Sequence, residues 1–282
     1  MKNLKFWAIL AISVGLVSCN SDNLSDASLT ATAQDEAQVS AISDDVLNNA
    51  DTYVNTVFAT NFTAPAAEGM QKVGFNRNID GVIITVDKTG TEFPKTFTLD
   101  FGTTGIKGKR DNVLKGKIIV VVSNRMDISG SSRTYTFVDF TVNGNAVKGS
   151  KVVTYNGENA AKKSWTVVVS DTIVKADDGK MIISNSTRIR TRTSDGGTPN
   201  VYFDDSYSIE GSASGINAKG VAYTMAITKP LIIDGVWPVF VEGTMVITTE
   251  KRSVVFDYGD GTRDLKATAT VDGVSKTISL RK

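Results

Sequence analysis

RTYTFVDFTVNGNAVKGSKVVTYN, residues 133–156, reads as two runs of alternating side chains on either side of Asn143-Gly144. A period of two marks a strand with one buried face. Asn-Gly between two such runs is a type I′ hairpin signal, because both central positions need positive φ and these residues tolerate it. The same rhythm spreads outward in both directions. It predicts strands near 81–87, 95–101, 115–124, 133–143, 146–156, 163–174, 179–193, 204–213, 218–228, 240–249, 252–258, 264–271 and 274–280. Asp178-Gly179 and Asp272-Gly273 carry the same turn chemistry as Asn143-Gly144. No interval between strands has room for a crossover helix, so parallel pairing is not expected. The fold class expected is all-β, a mainly antiparallel meander, with an open curved sheet, a sandwich and a barrel all compatible with the pattern. The 24 Gly and 5 Pro suit a sheet protein with many tight turns.

Upstream of the strands the period changes. Val39, Ile42, Val46, Tyr53, Val54 and Val57 recur at helical spacing and predict one amphipathic helix over 35–60. Asp35 and Glu36 would then sit at its N-terminus, where the helix dipole favours them. Residues 19–34 are rich in Ser, Ala, Thr and Asp with little to bury, and read as a tether.

The N-terminus carries its own signal. Lys2 and Lys5 precede an apolar run, Phe6 to Val17, too short to span a bilayer as a helix. The run ends in Leu16-Val17-Ser18-Cys19, which resembles the lipobox of bacterial lipoproteins. The resemblance implies cleavage of residues 1–18 and lipid attachment at Cys19, an anchor of more than one acyl chain. Asn20 after the cysteine favours the outer membrane by the usual sorting rule, and Ser21-Asp22-Asn23 is similar to the tag that sends lipoproteins to the cell surface in Bacteroidetes-type bacteria. A surface-facing orientation is thereby favoured over a periplasmic one. The organisation expected is signal 1–18, tether 19–34, helix 35–60 and β domain 61–282.

Composition excludes several classes of function. With 31 basic and 30 acidic residues, net charge is +1, which gives no field to attract nucleic acid. Cys19 is the only cysteine, so no intramolecular disulfide forms. The absence of histidine removes Ser-His-Asp and Cys-His nucleophiles and the usual zinc sites. Carboxylates, Lys, Tyr and Ser remain for catalysis, but no Ser-x-x-Lys opens a plausible helix beyond the signal. No cofactor is expected.

One segment echoes another. Phe97-Thr-Leu-Asp100-Phe101-Gly102 recurs as Val254-Val-Phe-Asp257-Tyr258-Gly259, each followed by a glycine-containing loop and a new strand. Either two hairpins share a convenient strand end, or the chain holds an old duplication. Together with the lipobox, the acidic helix, Pro94…TLDFG…GKIIV and FDYGDGTRDLKATATVDGVSKTISL, this pattern resembles a family of uncharacterised Bacteroidetes-type outer-membrane lipoproteins. The resemblance covers most of the chain after Cys19 and implies no particular activity. Its members often carry cysteines in the loops after the two Asp-aromatic-Gly motifs, whereas Thr103 to Asp111 and Asp260 to Asp264 have none here.

Four sets of residues are candidate sites. Arg188, Arg190 and Arg192 alternate along a strand, which puts three guanidiniums about 7 Å apart on one face, suited to phosphate or carboxylate. Asp204, Asp205 or Glu210 could instead pair with them across strands. Trp165, Trp237 and Tyr202, with Phe203 and Tyr223, would stack on sugar rings if exposed, although single aromatics in strands more often belong to a core. Asp257, Asp260 and Asp264 offer oxygen ligands to a cation, but their spacing does not fit an EF-hand loop, and Asp side chains capping their own turn explain them as well. Asp171-Thr172-Ile173 matches a short bacterial O-glycosylation signal. The function expected is a non-enzymatic binding or structural module of the cell envelope, with an envelope protein or a glycan as partner. A glycan-binding accessory lipoprotein, a histidine-free carboxylate hydrolase and a lipid carrier are the alternatives.

Overall fold

The computed structural model describes residues 27–61, 75–87, 92–108, 112–160, 162–195, 205–235 and 237–279. One helix, α1 (Ala27–Asn61), precedes β1 (Phe75–Ile79), β2 (Val82–Val86), β3 (Lys95–Asp100), β4 (Ile106–Lys107), β5 (Val113–Val122), β6 (Ser132–Val142), β7 (Asn145–Asn159) and β8 (Lys162–Val174). The chain continues through β9 (Met181–Ser194), β10 (Ser206–Ile216), β11 (Ala222–Asp234), β12 (Trp237–Thr249), β13 (Ser253–Asp260), β14 (Lys266–Val271) and β15 (Val274–Ser279). The strands form one open antiparallel sheet in chain order, with β4 set aside on β5. All thirteen expected strands are present. Of the three architectures left open, the open sheet is the one adopted.

The differences are local and have causes. β1 escapes the alternation rule because its middle is Asn76-Arg77-Asn78, with nothing apolar to count. It is joined to β2 by Asp80-Gly81, both at positive φ (52° and 88°), a type I′ turn like those at Asn143-Gly144 and Asp272-Gly273. Asp178-Gly179 departs from that scheme. Only Gly179 has positive φ (69°), and residues 176–179 form a longer loop closed by Lys175 N–H donating to Lys180 O at 2.9 Å.

The helix begins at Ala27, eight residues before the expected start, so residues 27–34 belong to it rather than to the tether. Nor does it present a solvated polar face. Between residues 31 and 50 only Gln34 is exposed, and Thr32, Asp35, Glu36, Ser43, Asp45 and Asn49 are buried. For Thr32, Asp35, Glu36 and Ser43 the reason is that strands and loops supply polar partners. Asp35, no longer at the N-terminus, accepts Ala218 N–H at 2.7 Å, and Asn217 Nδ2 donates to Thr32 Oγ1 at 2.8 Å.

The chain divides into two compact units. Unit 1 takes the chain up to Ala41, Asn159–Ser164 and Ile182–Lys282; unit 2 takes Ile42–Glu158 and Trp165–Met181. In unit 1 the helix contributes Ala33 and Ala37 to a core built mainly by strands, among them Met225, Met245, Ile247, Phe256 and Tyr258. In unit 2 the helix brings larger groups. Val46, Tyr53, Val54 and Val57 are essentially inaccessible, as are Ile84, Phe97, Leu99, Ile118 and Val120. The Tyr53 ring meets Phe101 edge-on at 6.1 Å, and Phe101 in turn meets Phe140 at 5.7 Å.

Glycines inside strands let neighbouring backbones pass closer than any side chain permits. A Cβ at Gly149 would lie 2.0 Å from Ser170 O in unit 2, and one at Gly211 would lie 2.1 Å from Thr187 O in unit 1. Both have positive φ (111° and 131°), the conformation that favours glycine. The β10 ladder with β11 shifts register at Gly211, between Ile209 and Ser212, as a bulge requires.

Candidate functional site

Among the described residues, three clusters of ionisable side chains lie on the inner side of the strands against α1. In unit 1, β9 presents Ile182 and Ser184 inward, and parity places Arg188 on the same face. Arg188 lies opposite Gly211 of β10, where no side chain competes for space. Its Nη2 donates to Glu36 Oε1 at 2.9 Å and to Ser40 Oγ at 3.1 Å. Tyr223 of β11 donates to the other oxygen, Glu36 Oε2, at 2.6 Å, and Ser184 Oγ donates to it at 3.4 Å. Burial, reinforced by the Glu36 charge, pushes the Tyr223 phenol well above its ordinary value.

Unit 2 repeats this latch with different residues. Asp51 of α1 accepts the hydroxyl of Tyr135, and Arg133 Nη1 lies 3.3 Å from the same carboxylate. Tyr135 and Arg133 are two residues apart on β6, so both lean to the helix side. Burial again raises the Tyr135 phenol far above its usual range.

The third cluster also lies in unit 2. Lys151 of β7 contacts Asp171 Oδ2 of β8, and its Nζ donates to Ser43 Oγ of α1 at 3.0 Å. Neither charged side chain has any exposure. Burial lowers the Lys151 ammonium below its ordinary value, against the pull of Asp171. Burial likewise raises the Asp171 carboxyl, against the pull of Lys151.

The residues singled out from sequence fare unevenly. Arg188, Arg190 and Arg192 do share a face, but it is the inner one, and each is engaged by the protein itself. Arg188 is held by Glu36, Arg190 stacks over the Tyr207 ring at 4.8 Å, and Arg192 lies 3.6 Å from Asp205 Oδ2. The cross-strand pairing with Asp205 is thus the one realised. Trp165 is half-buried on β8 with its ring 5.6 Å from Tyr155, a packing contact rather than an exposed platform. Trp237 begins β12, and its side chain lies outside what is described; Tyr202 and Phe203, like Cys19, lie outside the described residues. Tyr223 is buried in the latch.

The three aspartates of the β13–β14 hairpin cap their own backbone. Asp257 accepts Gly259 N–H at 2.8 Å, Asp260 accepts Thr262 N–H and Oγ1–H, and Asp264 accepts Lys266 N–H at 3.1 Å. No group of three or more acidic, His or Cys side chains among the described residues is placed to hold a metal ion. Of the glycosylation tripeptide, Asp171 and Ile173 are core residues of β8, while Thr172 on the alternate face is partly buried.

Sequence reasoning missed Glu36, Asp51, Ser43 and the Lys151–Asp171 pair. A signal for the last was present. Lys151 has the strand parity of Val147, Val153 and Tyr155, and Asp171 that of Val167, Val169 and Ile173. A cation and an anion at core positions of consecutive strands point at one another.

No family model, curated protein or solved structure matches this chain.

Proposed function

We propose that this chain is a lipid-anchored protein of the cell envelope, held at the outer membrane through Cys19, that acts as a non-enzymatic binding or structural module. One observation carries the non-enzymatic part. The three buried ionisable clusters among the described residues are spent on tying α1 to strands inside each unit, where a substrate would have to displace a packed helix to reach them. Loss of either member of such a buried pair costs stability, which suits a scaffold. The anchoring part rests on Lys2, Lys5, the apolar run and the sequence Leu16-Val17-Ser18-Cys19.

Glycan binding draws less support, since Trp165 packs against Tyr155 and Tyr223 is latched to Glu36. Lipid carriage draws less too, because Ala33, Ala37, Val46 and Tyr53 of α1 are packed into the cores where a carried lipid would lie. The test is protease treatment of intact cells expressing the wild type and Cys19→Ala. Wild type shaved from intact cells, with Cys19→Ala released from membranes, supports an anchored module facing the medium. Wild type protected until the outer membrane is opened moves the module to the periplasm. Retention of Cys19→Ala in the membrane fraction sinks the anchor.

A further inference from the structure

Lys151 and Asp171 are enclosed on several sides. Lys151 Nζ touches Asp171 Oδ2, the Phe137 ring centroid lies 5.8 Å from Nζ, and Ser43 Oγ closes the site at 3.0 Å. Asp171 Oδ1 is buried with no hydrogen-bond partner. A carboxylate has about four acceptor positions to satisfy, and leaving one oxygen bare in a dry core is a poor way to keep its charge. The backbone enforces the approach. At Gly149, two residues before Lys151, the strands lie so close that a Cβ would sit 2.0 Å from Ser170 O and 3.1 Å from the Cα of Asp171.

We propose that Lys151 and Asp171 are joined by an intramolecular isopeptide bond, formed by the folded protein from the Lys151 amine and the Asp171 carboxyl group. An ammonium and a carboxylate do not condense; an amine and a carboxylic acid can. Burial drives both groups toward these uncharged forms, the amine by a lowered and the carboxyl by a raised proton affinity. The Nζ lone pair attacks Asp171 Cγ, forming the C–N bond. Ser43 Oγ, within hydrogen-bond reach of Nζ, passes a proton from nitrogen to the departing hydroxyl. The C–O bond breaks and one water leaves, carrying one hydrogen from the amine and one from the carboxyl group. Nothing is oxidised or reduced. The product is neutral, so the bare oxygen of a charged carboxylate becomes an amide carbonyl, and the amide N–H retains Ser43 as its acceptor. Return is slow, because hydrolysis must bring water back into the core.

The bond ties β7 to β8 covalently in a chain whose only cysteine is Cys19. It stands independently of the anchor and of the envelope reading, since it needs only the fold of unit 2.

The experiment is a tryptic digest of the purified, denatured full chain, read by mass spectrometry. The expected product is a branched peptide joining residues 149–162 to residues 164–175, one water lighter than the sum of the two, with no cleavage at Lys151. Asp171→Asn should give the same branched mass, now by loss of ammonia, and Asp171→Ala should give only linear peptides. If wild-type protein yields linear 149–151 and 152–162, the pair is an ion pair and the proposal is overturned. The wild-type digest alone decides this, so a variant that does not fold leaves the answer intact.

Discussion

Unit 1 and unit 2 seat their parts of one helix by the same device and fill the space around it by opposite means. Each latches a helix carboxylate to a strand tyrosine and a strand arginine: Glu36 with Tyr223 and Arg188, Asp51 with Tyr135 and Arg133. Around the first latch the helix is alanine-rich and the strands bring the bulk; around the second the helix itself brings Val46, Tyr53, Val54 and Val57. A polar latch fixes the register and rotation of a helix that apolar packing alone would tolerate in several positions. Its cost in desolvation is met only where every partner is present. Unit 2 adds the Lys151–Asp171 pair, which has no counterpart described in unit 1.

The largest effects should come from the close strand approaches. Gly149→Ala in unit 2 and Gly211→Ala in unit 1 each push a Cβ into a backbone carbonyl that cannot swing aside. Each is expected to cost about 4 kcal/mol or more, read as a shift in the denaturant midpoint. Gly102→Ala, with positive φ but nothing within 4 Å of its Cβ, should cost only about 1 kcal/mol. If Gly149→Ala were as mild as Gly102→Ala, the account of the close strand approach would be wrong.

Next come the latches. The Glu36 side chain is 5% exposed and that of Asp51 26%, so the first latch is the drier. Glu36→Gln leaves Arg188 without its counter-charge and should cost about 3 kcal/mol. Asp51→Asn, more open to water, should cost about 1–2 kcal/mol. Equal losses in urea melts would erase this contrast between the units.

The tyrosines set an alkaline limit. Tyr135 and Tyr223 have phenols raised above the ordinary 10.0, mainly by burial. The protonated phenol is the folded form, while the unfolded chain sheds its proton near pH 10. The stability they hold is therefore present below pH 10 and falls as pH rises beyond it. Urea midpoints compared at pH 8 and pH 11 should show the drop, and Tyr135→Phe or Tyr223→Phe should each flatten it. A drop unchanged in both variants would place its origin elsewhere.

The smallest effects belong to the strand-end caps. Asp100 accepts Gly102 N–H at 2.9 Å in unit 2, and Asp257 accepts Gly259 N–H at 2.8 Å in unit 1. Asp100 also pairs with Lys117 at 2.9 Å, which with the cap lowers its carboxyl below the usual range. Thermal melts should show Asp100→Ala losing about 1 kcal/mol and Asp257→Ala less. The opposite order would mean that the Lys117 pair adds nothing.

These echoes were legible because they are local. Asp-aromatic-Gly appears twice in the sequence, and in both copies the Asp caps the Gly while Phe101 or Tyr258 goes into a core. Strands were legible wherever one face was apolar, and illegible at Asn76-Arg77-Asn78, which pair with Ile83, Ile84 and Thr85 of β2. The arginine stripe was read correctly as one face, and the fold turns that face inward. Period two says which residues lie together and not which side is inside.

What the sequence by itself determined is therefore the local order: alternation, turn chemistry, one helical stretch, and the exclusion of histidine and disulfide chemistry. Only the tertiary structure decided that polar helix residues are core residues and that Glu36 and Asp51 play the same part in different units. The physical reason is that a buried charge is tolerable only beside its partner, and these partners lie far apart in the chain, 152 positions for Glu36 and Arg188. Such partnership is a property of the folded chain, written in no single stretch of it.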